Sequence, residues 1–453
     1  MNSKFLITGV NGSGESKQFW YDNMTSALTT FEGEALSVRP ATNSKFHTAK
    51  ADIVSKDAPG SKVSPRTLKI QLGLSCNYEC TYCSQRFVPK AGETNKDDIE
   101  PFMAELDTWL TEPPTSIEFW GGEPLVYIKT LKPLAERLRE KFPNVRFTMI
   151  TNGSLLNPEI NEWLDRMGFG IGMSHDGPGQ HVRGPDPLQD PESLAGIQDL
   201  YNRLEPQGRF SFNSMMHAQN MDRAEIQKFF VKLTGNVNIN IGEGAFVDPY
   251  DDDAMKESLT SRSEHLFMRR KAIESIRNKS AMNVSIVPTR IREWIDSIAN
   301  GRKAETLGQK CGMDKKDTIA VDLKGNVLTC QNVTSASTGM NGESHKIGHV
   351  SDLSAVKLNT ATHWSLRKEC PTCPVVQGCK GSCMFLEGKY WTQACDNAYS
   401  DHIPFFAGAI EAITGYLPVR VEHPDLPESR MDIFGGDAEA KPRKKFPIPV
   451  VSA

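Results

Sequence analysis

Short apolar runs and amphipathic stretches alternate along the chain between residues 68 and 241. Apolar and polar residues alternate in Leu68–Leu72, which is the period of a strand with one buried face. Similar runs predict strands at Ser116–Phe119, Phe147–Ile150, Gly170–Ser174, Phe210–Met215 and Val237–Ile241. Apolar residues at helical spacing predict helices between the strands; they are Ile99, Phe102, Met103, Leu106 and Leu110, then Leu131, Leu134 and Leu138, then Ile160, Trp163 and Leu164.

This order predicts an α/β fold built from parallel βαβ units. Six strands are too few for a closed eight-fold barrel, so we expect a partial (β/α)6 barrel. Its functional site should lie at the carboxyl ends of the strands, where the strand-to-helix loops meet. Glu243 and Asp248 come just past the sixth predicted strand and would face the mouth of the cavity in this register.

The regions that flank this core are less regular. Residues 1–66 contain short apolar pieces separated by Gly, Ser, Asn and Pro, and their role is left open. A helix is predicted at Phe405–Ile413, and the chain from Pro418 onward is rich in Pro, Gly and charge, which predicts an extended or mobile tail. The predicted units are an N-terminal segment at 1–66, a core at 67–245, a linker of two helices at 246–307, a small irregular cysteine-rich domain at 308–400, and a helix and tail at 401–453.

Composition narrows the classes of partner. The 453 residues are 38% hydrophobic and 24% charged with a net charge of −4, which is typical of a globular chain without a nucleic-acid partner. The one basic run, Lys441–Lys445, is predicted to be a solvated tail. No apolar run approaches the roughly 18 residues of a membrane span, and the N-terminal run is too short for a signal peptide. We therefore predict a cytoplasmic protein with no membrane partner.

The ten cysteines fall into two groups, three in Cys76–Cys83 and seven between Cys311 and Cys395. Clustered cysteines in a long cytoplasmic chain predict metal ligands or catalysts before disulfides. The first group has the spacing C-x3-C-x2-C, which can place three thiolates on one face of an iron–sulfur cube. Because a cube has four irons, one iron would stay open for another ligand. A structural zinc site is the alternative interpretation.

Polar motifs follow three of the predicted strands. Gly121-Gly122-Glu123-Pro124 comes directly after the second strand, where two glycines allow a close backbone approach and a carboxylate can neutralise an ammonium group. Thr151-Asn152-Gly153 ends the third strand, and Ser174-His175-Asp176-Gly177 ends the fourth. Asn-Gly and Asp-Gly dipeptides also occur in ordinary turns. Because all three motifs would lie at the carboxyl edge of the same sheet, we expect them to line one pocket.

The cysteine loop and the Gly121–Pro124 motif together resemble the signatures of the radical S-adenosylmethionine (SAM) superfamily. The resemblance implies that Cys76, Cys80 and Cys83 hold a [4Fe–4S] cluster whose open iron chelates SAM. It also implies reductive cleavage of SAM to a 5′-deoxyadenosyl radical that abstracts hydrogen from a substrate. The implied SAM contacts are Tyr82 near the adenine, Gly121, Gly122 and Glu123 at the amino group, Asn152 and Ser174 along the pocket, Arg183 at the carboxylate and, from its position alone, Asn213.

The C-terminal cysteines resemble a SPASM domain, an extension of radical SAM enzymes that binds auxiliary iron–sulfur clusters. The resemblance implies two auxiliary [4Fe–4S] clusters. It assigns the outer one to Cys370, Cys373, Cys379 and Cys395, and the inner one to Cys311, Cys330 and Cys383. The inner set lacks a fourth thiolate, so that either Asp317 ligates it or one iron is open. Gln331 stands where sulfatase-maturating relatives have an acidic catalytic residue, which favours a different substrate.

The resemblance implies a ribosomally made peptide as substrate, to be crosslinked or otherwise modified, and a small electron donor such as flavodoxin or ferredoxin. Radical oxidation or rearrangement of a small molecule such as a sugar is an alternative. A non-catalytic iron–sulfur protein is another, but an electron carrier has no use for an amino-acid clamp such as Gly122-Glu123.

Overall fold

The computed structural model describes residues 3–42, 53–54, 62, 65–90 and 93–436. The basic run at 441–445 lies outside the described residues. The strands are β1 (Lys4–Val10), β2 (Ser16–Asp22), β3 (Leu28–Thr30), β4 (Thr67–Gln71), β5 (Ser116–Trp120), β6 (Arg146–Thr151), β7 (Phe169–Ser174), β8 (Phe210–Met216), β9 (Ile241–Phe246), β10 (Thr318–Asp322), β11 (Asn326–Leu328), β12 (Lys346–His349) and β13 (Leu417–Glu422). The α-helices are α1 (Ile99–Trp109), α2 (Ile128–Lys141), α3 (Pro158–Arg166), α4 (Pro191–Leu204), α5 (Arg223–Thr234), α6 (Asp252–Met255), α7 (Arg262–Asn278), α8 (Ile286–Ala299), α9 (Val376–Cys379), α10 (Gly388–Thr414) and α11 (Glu428–Met431).

A nine-stranded sheet forms the core of the molecule, in the order β12-β11-β10-β4-β5-β6-β7-β8-β9. Strands β4 to β9 are parallel and follow one another along the sheet, with helices α1 to α5 between them. Strand β4 has the predicted alternation of buried and less buried side chains, since Leu68 and Ile70 are fully buried. The sheet does not close on itself within the described ranges, which confirms the partial (β/α)6 barrel.

The sixth barrel strand corrects the prediction. It runs over Ile241–Phe246 rather than Val237–Ile241, and Ile241 pairs with Phe212 of β8. Asn236 caps the preceding turn by accepting the backbone N–H of Asn238, and Val237 is 69% exposed. The apolar–polar alternation of this stretch therefore belongs to a loop, because local side-chain hydrogen bonds compete with the ladder.

The cysteine-rich region is less separate and less irregular than its spacing predicted. Strand β10 pairs in parallel with β4, and the antiparallel strands β11 and β12 continue outward from it. The C-terminal region thus extends the barrel sheet at the edge beside the cysteine loop. This pairing places the two groups of cysteines on one continuous structure.

The two ends of the chain also share structure. Strand β13 pairs with β1 in a separate four-stranded antiparallel sheet of order β13-β1-β2-β3. The predicted tail from Pro418 therefore begins with a strand, and it joins the N-terminal segment that was placed at 1–66. Helix α10 is 27 residues long and crosses the boundary predicted at residue 400. The helix predicted at Phe405–Ile413 lies within its second half.

Helix α10 packs against both predicted linker helices, α7 and α8. A buried carboxylate, Asp401, ties this layer to the barrel. It accepts hydrogen bonds from Arg290 of α8, at 2.7 Å, and from Arg223 at the start of α5. Arg223 also donates to the carbonyl of Gly244 in β9, at 2.7 Å. Among the helices of the described ranges, none combines the length and the apolar character that crossing a bilayer requires.

Candidate active site

The loop that carries the first three cysteines begins directly after β4 and is held at its base by two side chains. The backbone N–H of Ser75 donates to the hydroxyl of Tyr127 at 2.7 Å, and that of Leu74 donates to Glu93 at 3.0 Å. Gly73 has φ +136°, and a Cβ there would lie 2.3 Å from the Tyr127 hydroxyl. Only glycine fits this position, because both the backbone conformation and the space exclude a side chain.

The three thiols of this loop are free, and they lie near one another. Burial raises the pKa of the Cys80 thiol to about 11, and burial also raises the pKa of Cys76 and of Cys83. In each case a neighbouring thiol of the loop raises the pKa further, which is the mark of sulfurs gathered at one place. Such thiols gain stability as thiolates when a cation is bound, so this donor set fits an iron–sulfur cluster.

The Gly121–Pro124 motif packs directly on the base of the cysteine loop. The backbone N–H of Gly122 donates to the carbonyl of Gly73, and that of Glu123 donates to the carbonyl of Ser75, each at 3.0 Å. A Cβ on Gly122 would lie 2.4 Å from the Ser75 carbonyl oxygen. The second glycine is therefore required for the close approach of two backbone segments.

Glu123 is a buried carboxylate with only 2% of its surface exposed. It accepts the Thr151 hydroxyl at 2.8 Å and the backbone N–H groups of Leu125 and Asn152 at 3.0 and 2.7 Å. Burial raises the pKa of Glu123, whereas these hydrogen bonds and the charge of Arg183 act in the opposite direction. A carboxylate has about four lone-pair positions, so one remains for a cation such as an ammonium group.

Arg183 lies near enough to Glu123 and to Cys80 of the cysteine loop for its charge to lower the pKa of both groups. One Nη donates to the hydroxyl of Tyr82 at 2.6 Å and lies 3.5 Å from Asp176. Burial alone would lower the pKa of Arg183, but Tyr82 and Asp176 outweigh it and raise that pKa above its ordinary value. The Nε group is buried and has no hydrogen-bond partner among the described residues. This charged, partly unpaired guanidinium can receive a carboxylate.

Tyr82 is held by the same network and stacks on a histidine. Its hydroxyl donates to Asp176, and its ring lies 6.2 Å from the ring of His217 at an interplanar angle of 29°. The sequence predicted this aromatic residue near an adenine but gave no sign of the partners that orient it. Asp176 was visible only as part of a turn motif.

The side-chain amide of Asn152 is already hydrogen-bonded to two other residues of the protein. Its amide nitrogen donates to Asn77 of the cysteine loop at 2.8 Å, and its amide oxygen accepts from Ser154. It therefore orients the cysteine loop as well as the Thr151–Gly153 turn. Ser174 ends β7 and is half-buried, so its side chain remains available at the strand edge.

Asn213 of β8 projects into the barrel between two glycines. A Cβ on Gly172 would lie 2.4 Å from its amide nitrogen, and one on Gly242 would lie 2.3 Å from its amide oxygen. The neighbouring strands thus leave room for this one polar side chain, which lines the central cavity. Both glycines are visible in the sequence, but hydrophobic periodicity alone did not indicate that they make room for Asn213.

The central cavity has a volume of about 1110 Å³ and runs through the barrel. The cavity reaches Ser84, next to the cysteine loop, and Trp120, next to the Gly121–Pro124 motif. It is also lined by three of the C-terminal cysteines, described below. Its wall includes the ion pair between Lys69 and Glu118, whose charged atoms are 3.1 Å apart. Gln331 also lines the cavity, in keeping with its position after Cys330; Asp248 does so too, whereas the side chain of Glu243 lies outside what is described.

The cysteine loop and the C-terminal region share a wall of this cavity. Gln85 donates to the side chain of Asn332 at 2.9 Å, and Thr334 donates to the carbonyl of Pro89 at 2.8 Å. Arg86 also pairs with Asp253 at 3.0 Å. The first two contacts join the segment after Cys83 to the segment after Cys330, and the ion pair joins the former segment to α6.

Four of the C-terminal cysteines surround a second, small cavity; they are Cys370, Cys373, Cys379 and Cys395. Burial raises the pKa of Cys370, and the other three thiols raise it further. Arg430 donates to the sulfur of Cys395 at 3.2 Å, which would stabilise a thiolate there. The four predicted outer ligands are therefore brought together.

The remaining three, Cys311, Cys330 and Cys383, line the central cavity. A five-residue segment links them to the outer set, because Cys379 and Cys383 lie at its ends. Within it Lys380, Gly381 and Ser382 have φ values of 53°, 77° and 48°, so that three successive residues are left-handed. Two of these are not glycine, and such strain persists mainly where the surrounding structure requires it.

No three His, Cys, Asp or Glu side chains in the described part of the chain converge closely enough to hold a single metal ion. A cubane cluster differs from such an ion because it places each thiolate on a separate iron.

Comparison with known proteins agrees with this arrangement. Residues 70–229 match the family model of the radical SAM superfamily. This match covers about a third of the chain, and a cysteine-rich C-terminal region follows it.

Two curated relatives are similar over part of their length. The chain is 24% identical over 177 residues to the radical SAM cyclopropyl synthase TigE of Paramaledivibacter caminithermalis, which is 35% of this chain and 36% of that protein. It is 32% identical over 176 residues to the AdoMet-dependent heme synthase of Methanosarcina barkeri, which is 37% of this chain and 46% of that protein. The similarity thus spans about a third to a half of these relatives.

A solved structure extends the likeness in fold. Native anSMEcpe with bound AdoMet (SAM) and Cp18Cys peptide superposes with a TM-score of 0.53, over 77% of this chain and all of that one, at 17% identity. At this identity the likeness establishes the fold alone.

Proposed function

We propose that this protein is an enzyme that reductively cleaves SAM and uses the resulting radical to modify a peptide substrate. The observation that carries the proposal is the meeting of three free thiols, a buried glutamate and a partly unpaired buried arginine at one edge of the barrel. A structural metal site would need the thiols but neither of the other two groups. An amino-acid ligand needs both, because it carries an ammonium and a carboxylate.

In this proposal Cys76, Cys80 and Cys83 hold a [4Fe–4S] cluster. When bound and reduced, the cluster supplies one electron to the sulfonium of SAM, which releases methionine and a 5′-deoxyadenosyl radical that takes a hydrogen atom from the substrate. The chain supplies position and exclusion of water. Glu123 receives the amino group of SAM, and Arg183 receives its carboxylate.

The other predicted contacts have supporting roles. Gly121 and Gly122 bring the backbone close to the bound methionine group, and Tyr82 lies against the adenine. Asn213 offers hydrogen bonds along the cavity wall, and Ser174 offers them at the carboxyl end of β7. Asn152 acts mainly by holding the cysteine loop through Asn77.

The C-terminal cysteines are proposed to hold two auxiliary iron–sulfur clusters. Cys370, Cys373, Cys379 and Cys395 supply four ligands to the outer one. Cys311, Cys330 and Cys383 supply three to the inner one, which faces the substrate cavity. Bound in these positions, the two clusters would supply one-electron transfer beside the substrate cavity. A flavodoxin or a ferredoxin is the proposed donor to the first cluster.

A peptide substrate is supported by the size of the cavity. A volume of about 1110 Å³ exceeds that of a typical drug-sized ligand site. The neighbour anSMEcpe was solved with AdoMet and a peptide bound, and it shares this fold. Gln331 cannot act as a base, so the modification is proposed to differ from sulfatase maturation.

Conservative replacement of Arg183 tests the SAM clamp. We expect Arg183→Lys to raise the apparent KM for SAM by about ten- to a hundredfold, since losing a bidentate charge-assisted pair costs about 1.5–3 kcal/mol. Iron content should stay unchanged, because Arg183 is not a ligand. The measurement is the rate of 5′-deoxyadenosine formation against SAM concentration. Arg137→Lys, at an exposed ion pair, is the control; an unaltered KM in Arg183→Lys would refute the clamp.

The function itself is tested on anaerobically reconstituted, full-length protein supplied with dithionite and SAM. We expect 5′-deoxyadenosine, and we expect deuterium in it when the substrate is a deuterated peptide encoded beside this chain. Deuterium from a sugar instead would favour the small-molecule alternative. Zinc in place of iron, with no SAM cleavage, would leave a metal-binding protein without this chemistry.

A further inference from the structure

The inner cysteine set has one ligand too few for a closed cubane cluster. Cys311, Cys330 and Cys383 line the central cavity, and the charges of Cys311 and Cys330 act on each other. Four irons need four ligands if none is to be left open. An oxygen donor in the cavity wall beside these three sulfurs could supply the fourth ligand.

Three carboxylates line the cavity: Glu118, Asp248 and Asp251. Glu118 is paired with Lys69, and Asp251 accepts the backbone N–H of Ala254. Asp248, by contrast, lies next to the inner cysteines.

Asp248 comes two residues after the end of β9, and its Oδ1 accepts the hydroxyl of Ser382 at 2.7 Å. Ser382 directly precedes Cys383, so this hydrogen bond fixes the carboxylate beside that ligand. The Oδ2 atom of Asp248 has no hydrogen-bond partner among the described residues. One oxygen is thus oriented by the protein while the other remains available.

The surroundings of Asp248 connect it to a second cysteine. Lys310 directly precedes Cys311, lines the same cavity and lies near enough to Asp248 to favour its charged form. Tyr250 places its hydroxyl beside the Cys383 sulfur. The neighbours of two inner cysteines therefore face Asp248.

Two other acidic residues follow Cys311 in sequence, and both are directed elsewhere. The backbone carbonyl of Asp317 accepts the N–H of Thr67 at 3.0 Å, which places it at the amino end of β4. Asp314 accepts the backbone N–H of Gln309 at 2.6 Å and lies 3.3 Å from His363. Neither carboxylate lines the central cavity.

We propose that Asp248 is the fourth ligand of the inner auxiliary cluster and closes it against external ligands. Carboxylate oxygen is an accepted donor to protein-bound iron. The inference rests on the auxiliary clusters of the proposed function. With its coordination complete, the inner cluster would exchange electrons with a substrate radical rather than bind the substrate. The Cys379–Cys383 segment would then link it directly to the outer cluster.

The test isolates the auxiliary clusters in full-length protein. The background is Cys76→Ala/Cys80→Ala/Cys83→Ala, which removes the first cluster and should retain about eight irons. In this background the reduced clusters are examined by electron paramagnetic resonance with and without cyanide, which binds an open iron. The carboxylate ligand predicts no cyanide-induced change. Asp248→Asn should either acquire such a change or lose about four irons, and Asp248→Cys should restore a closed cluster.

Asp317→Asn is the matched control, and it should behave like its parent. A cyanide-induced change in the parent, the Asp248→Asn effect in Asp317→Asn alone, or no effect of Asp248→Asn would each overturn the proposal. Iron near zero in the background would overturn it together with the auxiliary clusters. SAM cleavage by the wild-type protein, measured in parallel, tests the proposed enzymatic function separately.

Discussion

Cys80→Ala abolishes SAM cleavage and removes about four irons per chain, if the first cysteine loop holds the reactive cluster. Alanine leaves two thiols where the cube needs three from the protein. Cys80 is central because it is flanked by both other cysteines of the loop and senses the charge of Arg183. The two thiols that remain in the loop cannot hold the cluster by themselves. Among the described residues, the loop contains no further cysteine that could take the place of Cys80.

The measurement pairs iron and sulfide analysis with chromatography of 5′-deoxyadenosine after anaerobic reconstitution. Cys395→Ala is the control, because it disturbs the outer set and leaves the first loop intact. It should lose iron without losing the ability to cleave SAM. Sustained cleavage by Cys80→Ala would refute the assignment of the loop.

Asp401→Asn lowers the free energy of unfolding by about 3–5 kcal/mol, because it leaves two guanidinium groups buried without their partner. Asp401 is 2% exposed and pairs with Arg223 and Arg290, which are 2% and 6% exposed. The loss should be visible as a lower urea midpoint for the fully reconstituted protein. Asp252→Asn removes a mostly exposed pair with Lys389 and should leave the midpoint unchanged.

The same pair predicts a pH dependence. Burial alone would raise the pKa of Asp401, but Arg290 and Arg223 outweigh it and hold this pKa below its ordinary value. A carboxyl group with a lowered pKa in the folded state stabilises the protein above its unfolded pKa of about 4 and loses this contribution as pH falls further. The difference between wild type and Asp401→Asn should therefore be full at pH 7 and shrink below about pH 4. A difference that stays constant down to pH 2 would contradict the ion pair.

The barrel could be predicted because its strands are buried on a regular period. Five of the six strands lie where alternation placed them, including Phe169–Ser174 and Phe210–Met216. The sixth was displaced because Val237–Ile241 has the same alternation, yet its turn is closed by Asn236. Local periodicity does not distinguish a strand from a loop that shares its pattern.

Pairing between distant segments could not be predicted from local pattern. Nothing in Leu417–Glu422 indicates that it pairs with the first strand of the chain, and nothing in Thr318–Asp322 indicates that it extends the barrel sheet beside β4. Such contacts depend on the folded surface rather than on neighbouring residues. The boundary predicted at residue 400 therefore falls inside helix α10, and the segments predicted at 1–66 and 401–453 contribute strands to one sheet.

In the candidate site too, the local motifs could be predicted from the sequence, whereas the contacts with distant residues could not. Cysteine spacing and the Gly121–Pro124 motif are short-range signals, and the structure brings both to one edge of the barrel. The groups that orient them come from elsewhere in sequence: Tyr127 and Glu93 at the base of the loop, and Asp176 beside Arg183. Gly73 was the available clue, because a glycine between a strand and a cysteine loop suggests a close approach.

The most direct test of the central claim is electron–nuclear double resonance on the reduced protein with labelled SAM. The label is ¹⁵N in the amino group or ¹⁷O in the carboxylate. If the iron left open by Cys76, Cys80 and Cys83 chelates SAM beside Glu123 and Arg183, both labels should couple to the cluster spin. A reduced cluster whose spectrum shows no coupling to either label at saturating SAM would contradict the account.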